Sequence, residues 1–375
     1  MMRATLLAIL IVAAAMRSAM AGEFYREELR ITMAAAGPRG LEALLIRPAD
    51  NGRYPLALIT HGTPAEADRR RAMTAYWFHT TAIEFARRGF AAVVVMRRGY
   101  GNSGGDYAES GCCAPARYLR SARAAATDLR AAYAAMKGRP DVTTEGMIAV
   151  GSSGGGLASL ALTENPPPGL AAVISFAGGL RHVKPSDDGV GEPGDEAALV
   201  AAFGTIGKKS RTPMLWIYAQ NDKYFRPDMA HRLHAAFTLS GGRAQLIDAP
   251  AFGSDGHLLL LGAGGRSIWT PMVDGFLRAQ NLGARELLAA PTPPVLAPPP
   301  RLSEKGRADF EEYLAAGQHK AFAVSPGGAF GYFSGRRSAA EALGEALTGC
   351  AKHAQDCAPY AIDNQLAGKA NGGSL

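Results

Sequence analysis

The chain has 375 residues, of which 47% are hydrophobic, and it carries a formal net charge of +7. That length exceeds one small domain, and that apolar content supports a large buried core, so a wholly disordered chain is excluded. Lysine and arginine residues are scattered singly or in short groups, without a long basic block interleaved with aromatic residues, so we expect no nucleic-acid binding.

The first 21 residues have the pattern of a secretory signal peptide. Arg3 precedes an apolar run over residues 4–15, and Ala19-Met20-Ala21 offers an A-x-A cleavage site before Gly22. The run is shorter than the roughly 20 apolar residues of a membrane-spanning helix. The sequence predicts a signal peptide over residues 1–21, with an uncleaved anchor as the alternative. We therefore expect a periplasmic or secreted protein without stable membrane insertion after cleavage.

Apolar runs alternate with helical patterns over residues 22–284. Strands are predicted at residues 54–60, 90–96, 147–150, 170–176, 213–219 and 244–247. Helices are predicted at residues 73–88, 120–136, 154–163, 227–237 and 268–280. Continuously apolar strands alternating with helices predict an α/β fold, with a mostly parallel sheet and helices on both faces. Ligands bind such sheets at the carboxyl ends of the strands.

The composition changes after this α/β region. Residues 285–301 are rich in proline, which predicts an extended linker. Residues 302–364 predict a small α+β module of the ββα kind. Its signals are a hairpin turn at Ser325-Pro326-Gly327-Gly328 and a helix opened by a capping box of Ser338 and Glu341. Residues 365–375 are predicted to form a flexible tail.

The four cysteines are Cys112, Cys113, Cys350 and Cys357. An exported chain can keep disulfides, and four cysteines allow three full pairings. We favour a bridge between Cys350 and Cys357, because both lie in the small C-terminal module. The state of the adjacent pair Cys112 and Cys113 stays open.

One serine lies between an apolar strand and an Ala/Leu-rich helical pattern. The segment Gly151-Ser152-Ser153-Gly154-Gly155 has the form Gly-x-Ser-x-Gly, with Ser153 at its centre. This pattern puts a serine on a tight strand-to-helix turn, and the flanking glycines remove Cβ atoms that would clash there. We interpret Ser153 as a nucleophile. The alternative is a glycine-rich turn with an idle surface serine.

Two further residues complete the chemistry that such a serine needs. A serine hydroxyl becomes nucleophilic when a base takes its proton, usually a histidine held by a carboxylate. Asp222 follows the predicted strand 213–219, and His257 lies in a glycine-rich loop after the last strand. We predict Asp222 as the acid and His257 as the base, in the chain order Ser, Asp, His. Asp255 competes with Asp222, but it is expected to shape the turn before His257.

An oxyanion hole requires two backbone N–H groups. We expect one from Gly154, at a helix N-terminus, and one from Thr63, in the loop after the strand 54–60. His61 is expected to order that loop rather than to act as a base. The glycine-rich residues 96–105 are expected to form a pocket rim, and residues 179–211 a lid.

A metal site is not expected. His231 and His234 have a spacing on one predicted helix that could bind a metal, but no suitable third ligand accompanies them. The predicted chemistry needs no metal and no cofactor.

Residues 54–282 resemble the α/β-hydrolase superfamily, and are similar in particular to dienelactone-hydrolase-like enzymes. The resemblance rests on His61-Gly62-Thr63, Arg98-Gly99-Tyr100-Gly101-Asn102-Ser103, the turn at Ser153, Asn221-Asp222 and Asp255-Gly256-His257. It implies an α/β-hydrolase fold and hydrolysis through the Ser-Asp-His triad. Dienelactone hydrolases usually carry cysteine at the position of Ser153. This departure favours a serine esterase or a peptidase-like relative.

Several functions stay open at this point. The first is cleavage of small-molecule carboxylic esters. The second is peptide or amide cleavage, as in relatives of prolyl oligopeptidases, and the third is binding without catalysis on a hydrolase scaffold. Thiol chemistry at Cys112 and Cys113 is the least favoured, because neither occupies the serine turn. The C-terminal module resembles small exported ββα modules, and its expected partner stays open between cell wall, polysaccharide and the hydrolase domain itself.

Overall fold

The computed structural model describes residues 24–109, 114–181, 193–262, 264–283 and 287–368. Four predictions lie wholly or partly outside these ranges: the signal peptide, the state of Cys112 and Cys113, the middle of the lid at residues 182–192, and the end of the tail.

An eight-stranded sheet forms the centre of the larger part of the chain. Its strands are β1 (Phe24–Ile31), β2 (Leu41–Pro48), β3 (Tyr54–Thr60), β4 (Ala91–Val95), β5 (Val142–Ser152), β6 (Leu170–Phe176), β7 (Met214–Ala219) and β8 (Ala244–Ala249). They lie in the order β1-β2-β4-β3-β5-β6-β7-β8. β1 and β2 pair antiparallel with their neighbours, and all other pairs are parallel. This arrangement confirms the predicted α/β-hydrolase fold with a mostly parallel sheet.

Helices cover both faces of this sheet. They are α1 (Ala67–Ala72), α2 (His79–Arg87), α3 (Pro115–Lys137), α4 (Gly154–Leu162), α5 (Pro193–Gly207), α6 (Pro227–Leu239) and α7 (Gly265–Ala279). Short 3-10 turns lie at Ala34–Arg39, Ala75–Phe78 and Gly256–Leu258. Alternate strand residues point to opposite faces, so Leu58 packs in the core under α3, α4 and α6, whereas Ile59 packs in the core under α2 and α7. These two cores hold the carboxyl ends of the parallel strands in fixed positions.

Two of the predicted segments differ in kind from the structure. The segment predicted as one helix over residues 73–88 is a 3-10 turn, Ala75–Phe78, followed by α2 from His79. The segment predicted as an irregular lid over residues 179–211 contains the 15-residue helix α5. Asp195 and Glu196 lie in its first turn, where the helix dipole favours negative charge, so a helix signal was present in the sequence.

The C-terminal unit, residues 304–366, contains a second, antiparallel sheet. It has α8 (Glu304–Ala315), β9 (Ala321–Val324), β10 (Phe330–Phe333), α9 (Ala339–Ala351), β11 (Ala358–Ile362) and β12 (Gln365–Leu366), with the strand order β10-β9-β11-β12. The predicted hairpin and capped helix are present, and Ser338 Oγ accepts from the Glu341 N–H at 3.1 Å. Cys350 and Cys357 form a disulfide between the end of α9 and the start of β11, the pairing that the sequence favours. α8 was not predicted, and β12 lies in the segment predicted as a tail.

The C-terminal unit packs against the α/β region. Thr74 Oγ1 donates to the Gly335 carbonyl at 2.7 Å, and Arg337 Nη2 donates to the Met73 carbonyl at 2.7 Å. This unit therefore contacts the hydrolase domain, which was one of its three expected partners. Across the described residues, no helix combines the length and apolar character needed to cross a membrane.

Candidate active site

Ser153 lies in a strained turn between β5 and α4. β5 ends at Ser152 and α4 begins at Gly154, and the Ser153 backbone has φ 52° and ψ −121°. Residues other than glycine avoid positive φ, so the surrounding packing must hold this conformation. A Cβ on Gly151 would lie 2.2 Å from the Gly155 carbonyl oxygen, and one on Gly155 would lie 2.5 Å from the His61 carbonyl oxygen. The turn therefore requires glycine at both positions.

Asp222 and His257 meet at the carboxyl edge of the same sheet. Asp222 follows β7, His257 follows β8, and His257 Nδ1 lies 3.1 Å from Asp222 Oδ2 and 3.2 Å from Oδ1. The Asp222 carboxylate is buried, and its Oδ1 also accepts from the N–H groups of Tyr224 and Phe225 at 2.8 Å. The backbone thus fixes the carboxylate, and the carboxylate fixes the imidazole. Nε2 remains on the other side of the ring for proton transfer.

Asp255 has a different set of contacts. Its Oδ1 accepts from the His257 N–H at 3.0 Å and from the Lys223 N–H at 3.1 Å. It therefore shapes the turn that carries His257 and ties that turn to the loop of Asp222. The Tyr224 ring lies 4.4 Å from the His257 ring, between centroids, and packs against one face of the imidazole.

The loop after β3 lies against Ser153. A Cβ built on Gly62 would lie 3.2 Å from Ser153 Cβ and 3.7 Å from its Oγ, and one on Gly154 would lie 2.3 Å from Thr63 Oγ1. Within the described part of the chain, the Thr63 N–H has no hydrogen-bond acceptor. Gly154 opens α4, whose first N–H groups have no acceptor inside the helix. The two residues expected to donate to an oxyanion, Thr63 and Gly154, therefore lie close to each other and beside Ser153.

No hydrogen bond joins Ser153 Oγ to His257 Nε2 in the described parts of the structure. Bonds between a nucleophile and its base are often long before a substrate binds, and they tighten in the reacting complex. The structure thus holds Asp222 and His257 in contact, and the expected contact between His257 and Ser153 stays a prediction.

His61 is fully buried beneath this loop. Its Nδ1 donates to the Gly62 carbonyl at 2.8 Å, and its Nε2 accepts from the Arg97 N–H at 3.0 Å. Burial, together with the positive charge of Arg97, holds the pKa of His61 well below its usual value. A neutral ring with its proton on Nδ1 satisfies both contacts. These contacts fit a loop-ordering role and leave no free nitrogen for proton abstraction.

Arg97 and Glu109 form a support that the sequence analysis missed. Arg97 Nε and Nη2 donate to the Glu109 carboxylate at 2.6 and 3.0 Å, and both side chains are buried. Arg97 Nη1 donates to Thr60 Oγ1 and to the His61 carbonyl at 2.7 and 2.6 Å. Burial alone would lower the pKa of Arg97, but the Glu109 charge raises it overall, so the guanidinium stays charged. In the sequence, the one signal that pointed to this pair was Arg97 itself, an arginine directly after the predicted strand 90–96.

The Thr63 side chain belongs to the same network. Its Oγ1 donates to Glu109 Oε2 at 2.9 Å and accepts from the Tyr100 hydroxyl at 3.0 Å and from Arg97 Nη2 at 3.2 Å. The glycine-rich loop after β4, expected to form a pocket rim, thus supplies Arg97 and Tyr100 as buried partners of the Thr63 side chain.

The histidines considered as metal ligands have protein partners instead. His231 Nε2 lies 2.9 Å from Asp248 Oδ2, and His234 Nε2 lies 2.9 Å from the Ala244 carbonyl oxygen. Both contacts tie α6 to β8, far along the chain from the Ser153 turn.

A family model described as X-Pro dipeptidyl-peptidase (S15 family) matches residues 38–186. This span includes Thr63 and Ser153 and ends before Asp222 and His257. No curated protein matches the chain. The finer likeness to dienelactone hydrolases stays a prediction.

Solved structures of α/β enzymes are similar to the chain at low identity. An esterase from Pyrococcus furiosus is 15% identical with a TM-score of 0.45, and the match covers 68% of this chain and 90% of that one. Thermogutta terrifontis esterase 2 is 18% identical with a TM-score of 0.47, covering 69% and 96%. The acylaminoacyl peptidase of Pyrococcus horikoshii is 15% identical with a TM-score of 0.48, covering 71% and 42%. From its own sheet order and serine turn, the chain has an α/β-hydrolase fold, and its residues 38–186 are similar to the X-Pro dipeptidyl-peptidase (S15) family.

Proposed function

We propose that the chain is a serine hydrolase that cleaves carboxylic esters through Ser153, His257 and Asp222. One observation carries the proposal. A buried carboxylate lies 3.1 Å from His257 Nδ1, at the sheet edge where Ser153 occupies its strained turn. A serine, an imidazole and a buried carboxylate in this chain order are the parts that acyl transfer needs.

The proposed reaction has two halves. Ser153 Oγ attacks the ester carbonyl carbon, and His257 Nε2 takes the hydroxyl proton and then gives it to the departing alcohol. Asp222 stabilises the imidazolium through its bond to Nδ1–H. Water then attacks the acyl-enzyme with His257 as base, which releases the acid and restores Ser153.

The negative charge of the tetrahedral intermediate needs donors beside Ser153. The N–H groups of Thr63 and Gly154 fit this role, because both residues lie next to the serine and the α4 dipole adds positive potential. The Arg97–Glu109 pair holds the Thr63 side chain, so we assign it a positioning role for this donor.

A second candidate is peptide or amide cleavage by the same residues. It is favoured by the match of residues 38–186 to a family described as X-Pro dipeptidyl-peptidases. Ester and amide cleavage share the serine turn and the oxyanion donors, and differ in the leaving group that His257 protonates.

Active-site labelling tests the proposal. The chain from Gly22 onward would be treated with a fluorophosphonate probe, and the modified residue located by mass spectrometry. We expect labelling of Ser153 that disappears in Ser153→Ala and persists in the neighbouring control Ser152→Ala. If the folded protein is not labelled, the hydrolase mechanism fails and binding without catalysis becomes the better hypothesis.

A substrate pair then separates the two candidates. We expect hydrolysis of 4-nitrophenyl butyrate with little release from alanyl-prolyl 4-nitroanilide. The opposite ranking of kcat/KM would replace the ester proposal with the peptidase candidate.

We also propose that the chain is exported and loses residues 1–21. The N-terminal pattern supports this, and the Cys350–Cys357 disulfide is compatible with an oxidising compartment. Expression of the full chain in a bacterial host, followed by N-terminal sequencing of the periplasmic fraction, should give a protein that begins at Gly22. A product that stays in the cytoplasm with Met1 intact would contradict export.

A further inference from the structure

A cleft of about 290 Å³ lies between the α/β region and the C-terminal unit. It is separate from the proposed catalytic residues, none of which lines it. One wall comes from the segment before α2 and from the start of α7, and the other from the end of α8 and from β10. The residues that carry the argument are Trp77, Arg266, Trp269, Glu312, Tyr332 and Arg336.

Arg266 places an unbalanced positive charge in this cleft. It is the second residue of α7, where the helix dipole disfavours a cation, and the first turn of α7 has no acidic residue. Gly264, at the N-cap, has no side chain that could cap the helix. An anion at this point would satisfy both the guanidinium and the helix end.

The carboxylate that pairs with Arg266 holds it only loosely. Glu84 lies 3.6 Å from its guanidinium, beyond hydrogen-bond distance, and is almost fully buried. The Glu84 oxygens already accept from Arg87 and Arg88 at 2.8 to 3.0 Å. Arg88 also donates to the Asp274 carboxylate at 2.7 and 3.2 Å. Three guanidinium groups therefore face two carboxylates, and Arg266 is the one held least closely.

Two indole groups of the cleft lack acceptors. Trp269 lies one helical turn after Arg266, on the same face of α7, and is 1% exposed. Its Nε1 and that of Trp77 are buried without a hydrogen-bond acceptor in the described part of the protein. A buried donor without an acceptor is costly, so an acceptor that reached either nitrogen through a small shift of the cleft wall would be favoured.

The other charged groups of the cleft are already satisfied. Arg336 donates to Glu345 at 2.8 and 2.6 Å, and Glu312 accepts from the Tyr332 hydroxyl at 2.8 Å. Among the described residues, the buried side-chain polar atoms of the cleft that lack a partner are thus the two indole donors, and Trp77, Trp269 and Tyr332 form part of its wall.

We propose that this cleft binds a small organic anion, with its carboxylate or phosphate group on Arg266 at the start of α7. The ring or chain of the ligand packs against Trp77 and Tyr332, since the cleft is larger than one inorganic ion needs. This site is independent of the proposed function, because no residue of the serine turn takes part.

Intrinsic fluorescence of the full chain tests the proposal. Two of its three tryptophans line the cleft, and Trp216 is buried in the core on the opposite face of the sheet. Benzoate, its neutral isostere benzamide and inorganic phosphate would be titrated at matched ionic strength. We expect saturable quenching by benzoate, binding of benzamide weaker by about tenfold or more, and displacement of benzoate by phosphate.

Two charge-removing variants on one helix locate the site. Arg266→Gln should weaken benzoate about tenfold and leave benzamide unchanged, whereas Arg278→Gln, at the exposed far end of α7, should leave both unchanged. Arg266→Lys keeps the charge and should retain most of the affinity, which guards against misfolding of the glutamine variant. Absence of quenching by benzoate and phosphate, equal affinity for benzamide, or equal loss in the two glutamine variants would each overturn the proposal.

Discussion

The guanidinium of Arg97 and the carboxylate of Glu109 form a buried ion pair beneath the loop of Thr63, with Nε 2.6 Å from Oε1. The pair also holds Thr60, His61 and Thr63 through hydrogen bonds from the guanidinium. A buried ion pair costs desolvation energy, so we expect this pair to act by fixing the groups around it rather than by adding net stability. Here those groups carry one of the two expected oxyanion donors.

Removing one partner of this pair should be strongly destabilising. Arg97→Met leaves the Glu109 charge buried and uncompensated, so we expect the free energy of unfolding to fall by about 3–5 kcal/mol. The double variant Arg97→Met, Glu109→Leu should recover much of that loss while kcat stays low, because the Thr63 loop is no longer fixed. Denaturant unfolding and ester kinetics measure the two effects. A double variant with full activity would contradict the positioning role.

The Asp222 carboxylate should matter for the tautomer of His257 more than for folding. In Asp222→Asn, the amide oxygen can still accept from the N–H groups of Tyr224 and Phe225, so the loop should persist. The amide NH2 then replaces Oδ2, the nearer acceptor of the His257 proton, which favours the wrong tautomer of the imidazole, and kcat should fall by about 10⁴-fold. Asp255→Asn is the matched control, because Asp255 contacts backbone N–H groups only, and its kcat should change little. Similar losses in the two variants would reassign the acid.

Most strands that hold the site could be predicted because they are buried on both faces. β3 to β7 lie between two helix layers, so their sequences are largely apolar runs that need no periodicity to be recognised. β1 and β2 were both missed, and in β1 the residues Arg26, Glu27, Glu28 and Arg30 interrupt the apolar pattern. Such an edge strand is half exposed, and its sequence carries a weaker signal.

The serine, acid and base could be proposed from the sequence because each follows a strand at the same sheet edge. The Arg97–Glu109 pair could not, since the two residues are separated by a loop of irregular backbone whose path no local pattern fixes. The cleft beside the C-terminal unit could not be predicted for the same reason. Arg266 and Tyr332 are far apart in the sequence, and tertiary packing alone brings them to the same cleft.

Acid should weaken the packing of the C-terminal unit on the α/β region, where the rings of His79 and His319 lie 6.2 and 4.4 Å from the Tyr76 ring, between centroids. Burial and the nearby positive charges of Arg26, His319 and Lys320 lower the pKa of His79 from 6.5 to about 3, and the pKa of His319 is lowered too, first by burial. In the unfolded chain these imidazoles take protons near pH 6.5, so stability is full above that pH. It should be lost progressively as the pH falls towards 3, by at most about 1.4 kcal/mol per pH unit for each group.

The His79→Gln variant tests the expected loss of stability at low pH. Its urea midpoint should depend less on pH between 6.5 and 4 than that of the parent chain, with other carboxylates acting equally on both. Parallel pH profiles for the two proteins would contradict the assignment.

Two glycine-to-alanine changes separate a steric requirement from a general helix effect. In Gly155→Ala the new Cβ would lie 2.5 Å from the His61 carbonyl oxygen and 2.6 Å from that of Thr60, both backbone atoms that cannot move cheaply. Overpacking of this kind costs about 1–3 kcal/mol or more, and the Ser153 turn should shift with loss of fluorophosphonate labelling.

Gly275→Ala is the matched change, because a Cβ there meets nothing within 4 Å and Gly275 lies inside α7. Alanine at such a site should stabilise by about 0.4–1 kcal/mol, through better helix propensity and a less flexible unfolded chain. Thermal unfolding and labelling of both variants give the comparison. Retained labelling in Gly155→Ala would mean that the turn tolerates a side chain, and that the close approach of the β3 loop does not hold Ser153 in place.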